Sequence, residues 1–276
     1  TFQVINEDGD AVGGLTADDP YAIPAVSTVG VSPDGHIYLH FERKFIYRDA
    51  DDDGNACQDP WSESSPCSCQ LFKSVYTTEE MAAETVSSDL ASIKCIDWQH
   101  SIDVWSSNAP IFQFDAASNV YYLAHIPGDS QSVVYRVTPE ENEDGHFELT
   151  EMVNANICVR DYRVAPSGGF FYVGENCIGG RWSGDNSFFR YVSPEGSLAE
   201  VSSGWWDYKF EIVEGQNSDR VLFYGPDPES GQVASWDSAC LFEFDPGAEA
   251  GSRSSKLVSC NNNIWEWLEL RRVDDV

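Results

Sequence analysis

The sequence predicts an all-β chain of β-propeller type, made of four-stranded antiparallel blades, on three observations. Apolar alternating runs recur in pairs around Gly, Asp or Asn turns, the signature of hairpins. The later pairs return at intervals of roughly 50 residues, the length of one four-stranded blade. Aromatic residues make up 13% of the chain, and such side chains favour strands and also line carbohydrate or protein contact surfaces.

The first hairpin, Phe2-Gln-Val-Ile-Asn-Glu-Asp-Gly-Asp10 followed by Ala11 to Leu15, reads as an outer pair of strands. Inner pairs follow at Val29 to His40, Ile111 to Tyr122, Tyr162 to Tyr172 and Phe210 to Tyr224, and Trp265 to Leu270 reads as the opening strand of a fifth. Between them lie further outer pairs, in Val133 to Glu140, Phe188 to Val201 and Leu241 to Pro246. Unit starts near 28, 110, 160, 208 and 264 divide a single domain, 1–276, into about five blades. The first unit is too long, with its excess at 48–70 and 79–108; within the second, Glu79 to Val86 suits a short helix. A chain that opens on outer strands and finishes on an inner one can close a ring by placing both termini in one blade, leaving no open edge. That blade has three strands, or the chain is part of a larger propeller.

The Pro-Asp-Gly-His-Ile-Tyr run at Pro33 to Tyr38 and its counterparts resemble the NHL-like and SMP-30-like hairpin repeats of bacterial secreted propellers. The resemblance implies the fold and no function, because propellers host hydrolases, lyases, isomerases and pure binding modules alike.

Acidic residues number 46 against 16 basic ones, a formal charge of −30. Such a surface repels phosphate backbones and attracts divalent cations, so nucleic acid is excluded as a partner. No apolar stretch has the length of a membrane span. Eight cysteines without a C-x-x-C pair fit disulfides in an oxidising compartment: extracellular, at the cell surface, or periplasmic. In a hairpin, residues equidistant from the turn face each other, so Cys158 is expected to bond Cys177 and Cys240 to bond Cys260. Cys57, Cys67, Cys69 and Cys95 remain: Cys57 bridges Cys67 or Cys69, and the other reaches Cys95.

The sharpest chemical motif is Asp49-Ala-Asp51-Asp-Asp53-Gly54-Asn55. Carboxylates at alternate positions converge on one hard cation, and Gly54 lets the chain turn between them. It is similar to the calcium loops of EF-hands, dockerins and the integrin α propeller, with one departure: Pro60 stands where an EF-hand has its bidentate Glu. The expected ligands are Asp49, Asp51, Asp53, Asn55 through its carbonyl, and Asp59; the alternative is a solvated acidic turn. His36 and His40 share one face of a strand, and His125 follows the equivalent strand of the next unit. Arg181 and Trp182 sit in a glycine-rich connection. No nucleophile elbow, zinc helix or phosphate loop occurs in a credible setting. These features lead to a secreted or cell-surface binding or assembly protein with a calcium-stabilised loop, taking a protein or glycan partner. A propeller hydrolase or lyase acting on carbohydrate or a small ester through His36, His40 or His125 is the alternative.

Overall fold

The computed structural model describes residues 2–5, 11–15, 26–46, 68–82, 93–97, 101–102, 110–125, 132–142, 147–153, 157–176, 187–203, 209–213, 219–226, 239–247 and 255–260. Strands β1 (Phe2–Ile5) and β2 (Ala11–Leu15) pair as an antiparallel hairpin. The first blade is β3 (Val26–Val31), β4 (His36–Ile46), β5 (Ser68–Thr77) and β6 (Ile93–Cys95). In the second, β7 (Ser101–Ile102) and β8 (Phe112–Phe114) share one edge of β9 (Val120–His125), and β10 (Ser132–Glu141) and β11 (Phe147–Glu151) follow. The third is β12 (Ile157–Val164), β13 (Phe170–Asn176), β14 (Phe188–Val192) and β15 (Leu198–Ser203). The fourth is β16 (Lys209–Ile212), β17 (Val221–Pro226), β18 (Ala239–Phe244) and β19 (Lys256–Cys260).

Each of these sheets runs in chain order and is antiparallel throughout, the blade pattern of a β-propeller. The expected inner strands near 28, 110, 160 and 208 are β3, β8, β12 and β16. The Trp265–Leu270 strand lies outside the described residues, as do Cys57, Cys67, Cys177 and the 49–59 acidic run.

Period-2 alternation stacks the blades, because successive residues on a strand point to opposite faces. Tyr38 and Leu71 of the first blade share a buried cluster with Tyr122, Val133 and Val137 of the second. The neighbouring Tyr121, with Leu123 and Val134, faces the other way onto Val159, Tyr162 and Phe170 of the third. Phe171 and Phe189 in turn meet Phe210, Phe223 and Phe242 of the fourth. Each such aromatic contributes roughly 1.5–3 kcal/mol when fully buried.

The turns repeat as closely as the strands. In Ser32–Gly35, Asp115–Ser118, Ala165–Gly168 and Ser193–Gly196 the fourth amide donates to the first carbonyl, at 2.8–3.0 Å. The fourth residue has φ of +87, +65, +90 and +86° respectively, which explains glycine at three of the four positions. At the third-strand position of three blades, a polar side chain reaches into the next blade. Lys73 Nζ donates to the Pro139 carbonyl at 2.6 Å, Arg136 Nη1 to the Pro194 carbonyl at 3.3 Å, and the Tyr191 hydroxyl to Asp219 Oδ2 at 3.0 Å.

Inner strands also touch directly. The Gln113 side chain accepts from the Val164 amide at 2.7 Å and donates to the Tyr162 carbonyl at 3.2 Å, standing in for a missing ladder rung between β8 and β12. The short helix α1 (Thr78–Ala82) begins with a capping box: Thr77 Oγ1 accepts from the Glu80 amide at 3.3 Å, and Glu80 Oε2 from the Thr77 amide at 2.8 Å.

Two disulfides complete the described framework. Cys240–Cys260 joins β18 to β19 at directly opposed positions, as symmetry about the turn requires. Cys69 is the residue that reaches Cys95, closing the open choice in the first unit. Cys158 is disulfide-bonded. The region expected as an insertion at 48–70 gives its last three residues to β5, because Cys69 is buried and Ser68 pairs with Ile46. Residues 93–95 and 101–102, within the second expected excess, are strands of the first and second blades.

Two glycine substitutions separate backbone strain from steric clash. Gly196→Ala has no atom within 4 Å of the new methyl but keeps a φ of +86°, so urea unfolding should record a loss of about 1 kcal/mol. Gly30→Ala sets a methyl 2.6 Å from Phe112 Cε2 at the first blade junction, and a larger loss, about 1–3 kcal/mol, is expected there.

Candidate functional site

Two regions concentrate unusual chemistry: the first-blade hairpin, and the inner edge where the third and fourth blades meet. In the first blade, β4 and β5 are the longest strands apart from β10, and their pairing continues to Phe45↔Cys69 and Ile46↔Ser68. The connection between them, residues 47–67, holds Asp49, Asp51, Asp53, Asn55 and Asp59, all outside the described residues. The hairpin root is fixed by the Cys69–Cys95 bond and by Phe41 and Phe72, whose rings meet edge to face at 5.5 Å.

The histidines of this blade occupy different settings. His40 is completely buried, with Nδ1 hydrogen-bonded to the Ser27 hydroxyl across a bulge in β3. Burial disfavours its imidazolium and lowers its pKa to about 4. The His36 ring nitrogen Nδ1 meets the Ser74 carbonyl at 3.0 Å, and its positive form favours ionisation of Asp34 and Glu80. Burial pushes the Asp34 carboxyl up, but the Ser32 hydroxyl, the Lys73 ammonium and the His36 amide outweigh it and hold the group below its usual range. His36 and His40 share a strand without sharing a partner, and the side chain of His125 is not among those described.

The rim carboxylates are engaged within the fold. Asp115 accepts from the amides of Ala117 and Asn119 at 3.0 and 2.9 Å and from the Tyr121 hydroxyl at 3.2 Å. Asp219 accepts from Ser167 as well as Tyr191, and the Asp34 amide donates to Ser118 Oγ at 2.9 Å. These contacts lace each inner hairpin turn to the next.

The second region has a composition of its own. In β12 the register shifts between Val159 and Asp161, which leaves Arg160 as a bulge residue. Val159, Tyr162 and Val164 face the second blade, so Asp161 and Arg163 face the fourth, where Arg163 Nη2 lies 3.8 Å from Glu211 Oε1 and the guanidinium stands 5.5 Å from the centre of the Phe210 ring. Arg163 Nη1 donates to Asp161 Oδ1 and, at 2.8 Å, to the Tyr162 carbonyl. Arg160 Nη2 meets Glu175 Oε2 at 3.3 Å, and the Glu175 side chain is wholly buried. Burial raises the Asp161 carboxyl even though Arg163 and Lys209 pull it down. Sequence reading missed this cluster; the broken alternation in Val159-Arg-Asp-Tyr-Arg163 was the available signal.

No metal-ligating group of three or more His, Cys, Asp or Glu side chains occurs among the described residues. No described helix is long and apolar enough to cross a membrane. No family model matches the chain, and no curated protein matches it. Among solved structures it is similar to prolyl oligopeptidase B from Galerina marginata, at 12% identity over 86% of this chain and 26% of that one, with a TM-score of 0.47. It is also similar to a polysaccharide lyase, at 11% identity over 87% of this chain and 60% of that one, with a TM-score of 0.38. The chain thus spans about a quarter of the peptidase and three fifths of the lyase.

His40 sets a pH dependence. An unfolded chain protonates this residue near pH 6.5 and the folded chain only near pH 4, so its contribution is intact above pH 6.5 and is lost as the pH falls through that window, by about 3 kcal/mol in all. Urea midpoints at pH 7.5, 5.5 and 4.5, compared with those of His40→Gln, isolate this loss. Parallel pH profiles for the two proteins would remove His40 as the cause.

Proposed function

We propose that this chain is a secreted or cell-surface binding or assembly protein whose propeller holds a calcium-ordered recognition loop, residues 49–59, against a protein or glycan partner. The observation that carries the reading is the root of the β4–β5 hairpin, extended to Ile46 and Ser68 and pinned by Cys69–Cys95. A loop grafted on so firmly anchored a base loses little further freedom when it binds, which is why recognition tends to reside on loops of rigid scaffolds. Asp49, Asp51 and Asp53 offer carboxylates at alternate positions, with Asn55 and Asp59 completing an oxygen set suited to calcium. The chain's charge of −30 favours such an ion and disfavours phosphate-bearing partners. The disulfides fit an oxidising compartment.

Thermal unfolding in millimolar calcium and then in excess chelator tests the ion. A ligand that binds only the folded state raises Tm; at a hundredfold excess over Kd the gain is about 2.7 kcal/mol. The rise should vanish in an Asp51→Ala, Asp53→Ala double variant. Equal melting temperatures with and without calcium would leave the run as a solvated turn and remove the ordered loop from the reading.

A further inference from the structure

We propose that the inner edge of the third and fourth blades is a second, separate binding site, in which Arg160 and Arg163 grip the carboxylate of a ligand entering the central channel. Four observations converge on it. First, β12 and β16 are the first strands of their blades, and first strands are the ones that approach one another, as the Gln113 bridge from β8 to β12 demonstrates. Side chains at this edge therefore border the axis about which the blades are arranged.

Second, the interface changes character there. Further out, the same junction is filled by Phe171, Val173, Phe189 and Phe223. At its inner edge it holds an ion pair whose carboxylate, on Glu175, has no exposure at all. Taking a charge pair out of water costs several kcal/mol, and apolar residues fill such space at lower cost. A pair retained under those conditions fixes a geometry, and the geometry it fixes is that of the Arg160 guanidinium.

Third, both arginines are braced in the same manner and remain partly open. Glu175 takes one edge of Arg160 and Asp161 takes Nη1 of Arg163, while the Phe210 ring sets the plane of the second guanidinium. Their side chains are 25% and 24% exposed. A guanidinium has five N–H donors in a rigid fork that matches a carboxylate, so a braced arginine with an open edge is organised in advance to receive one. The bulge at Arg160 turns it onto the face that carries Asp161 and Arg163, a re-aiming that bulges commonly perform beside binding sites.

Fourth, charge is distributed against the trend of the chain. Arg160, Arg163 and Lys209 balance Glu175, Asp161 and Glu211 in a protein with a net charge of −30. An anion repelled by most of the surface meets no net repulsion from these six groups. Lys209, at the start of β16, is the one exposed cation among them.

Calorimetric titration of the full chain with trigalacturonate and with citrate, against neutral maltotriose, tests the site. Binding of at least one carboxylate probe is expected, weakened about tenfold by Arg160→Met or Arg163→Met and unchanged by Arg136→Met, whose arginine serves another junction. Arg163→Lys, which keeps the charge and loses the fork, should bind more weakly than the parent and serves if the methionine variants unfold. Binding of trigalacturonate alone assigns the site to acidic sugars, and binding of citrate to carboxylates generally. Equal binding of maltotriose, arginine variants with parental affinity, or no heat from either acid at about 10 mM would each overturn the proposal. None of these results bears on the calcium loop, since the two sites share no residue.

Discussion

Every blade in this molecule must bury both of its faces, and the rest of the architecture follows from that requirement. A sheet between two neighbours cannot have a polar side, so adjacent residues on one strand serve different interfaces: Tyr121 the third blade and Tyr122 the first, Phe170 the second and Phe171 the fourth. The strands consequently look continuously apolar where a half-exposed sheet would alternate. The aromatic content of the chain has its explanation here, since large rings fill the wedge between twisted sheets.

The scarcity of basic residues gives those present a distinct use. Lys73 and Arg136 are spent on carbonyls of the next blade, Arg160 and Arg163 on carboxylates of the inner edge, and Arg220 on Glu243 at 3.1 Å. Lys94, nearer the surface, pairs with Glu141 at 2.5 Å across the first junction. Cations thus act as internal ties, and the uncompensated carboxylates keep the molecule anionic toward its surroundings.

Much of the fold could be read directly. Pro-Asp-Gly and Pro-Ser-Gly-Gly mark turns because only a residue tolerant of positive φ closes them, and the hairpins on either side follow from period 2. Symmetry about a turn identified Cys240 with Cys260. The choice of Cys69 for Cys95 could not be made that way, because it depends on where β5 begins after the long connection. Strands as short as β6 and β7 have too few residues to display a period, so their segment read as excess. The inner-edge cluster was hidden for a related reason. A bulge shifts the phase of β12 by one residue, and the buried partner of Arg160 comes from another strand fifteen positions along. The histidines were legible as a pair on one face, but the opposite environments of His36 and His40 arise from packing against β3 and β5.

The ties between blades all point one way: Lys73, Arg136 and Tyr191 each extend from one blade toward the blade that follows it in the chain. A blade leaving the ribosome therefore carries a donor whose acceptor has not yet been synthesised. Until the successor arrives, that ammonium, guanidinium or hydroxyl stays in water, and the apolar face beside it stays uncovered. Assembly acquires a direction from this arrangement, each new blade locking its predecessor, so that a nascent chain halted between units would present to chaperones one sticky face flanked by a single waiting polar group.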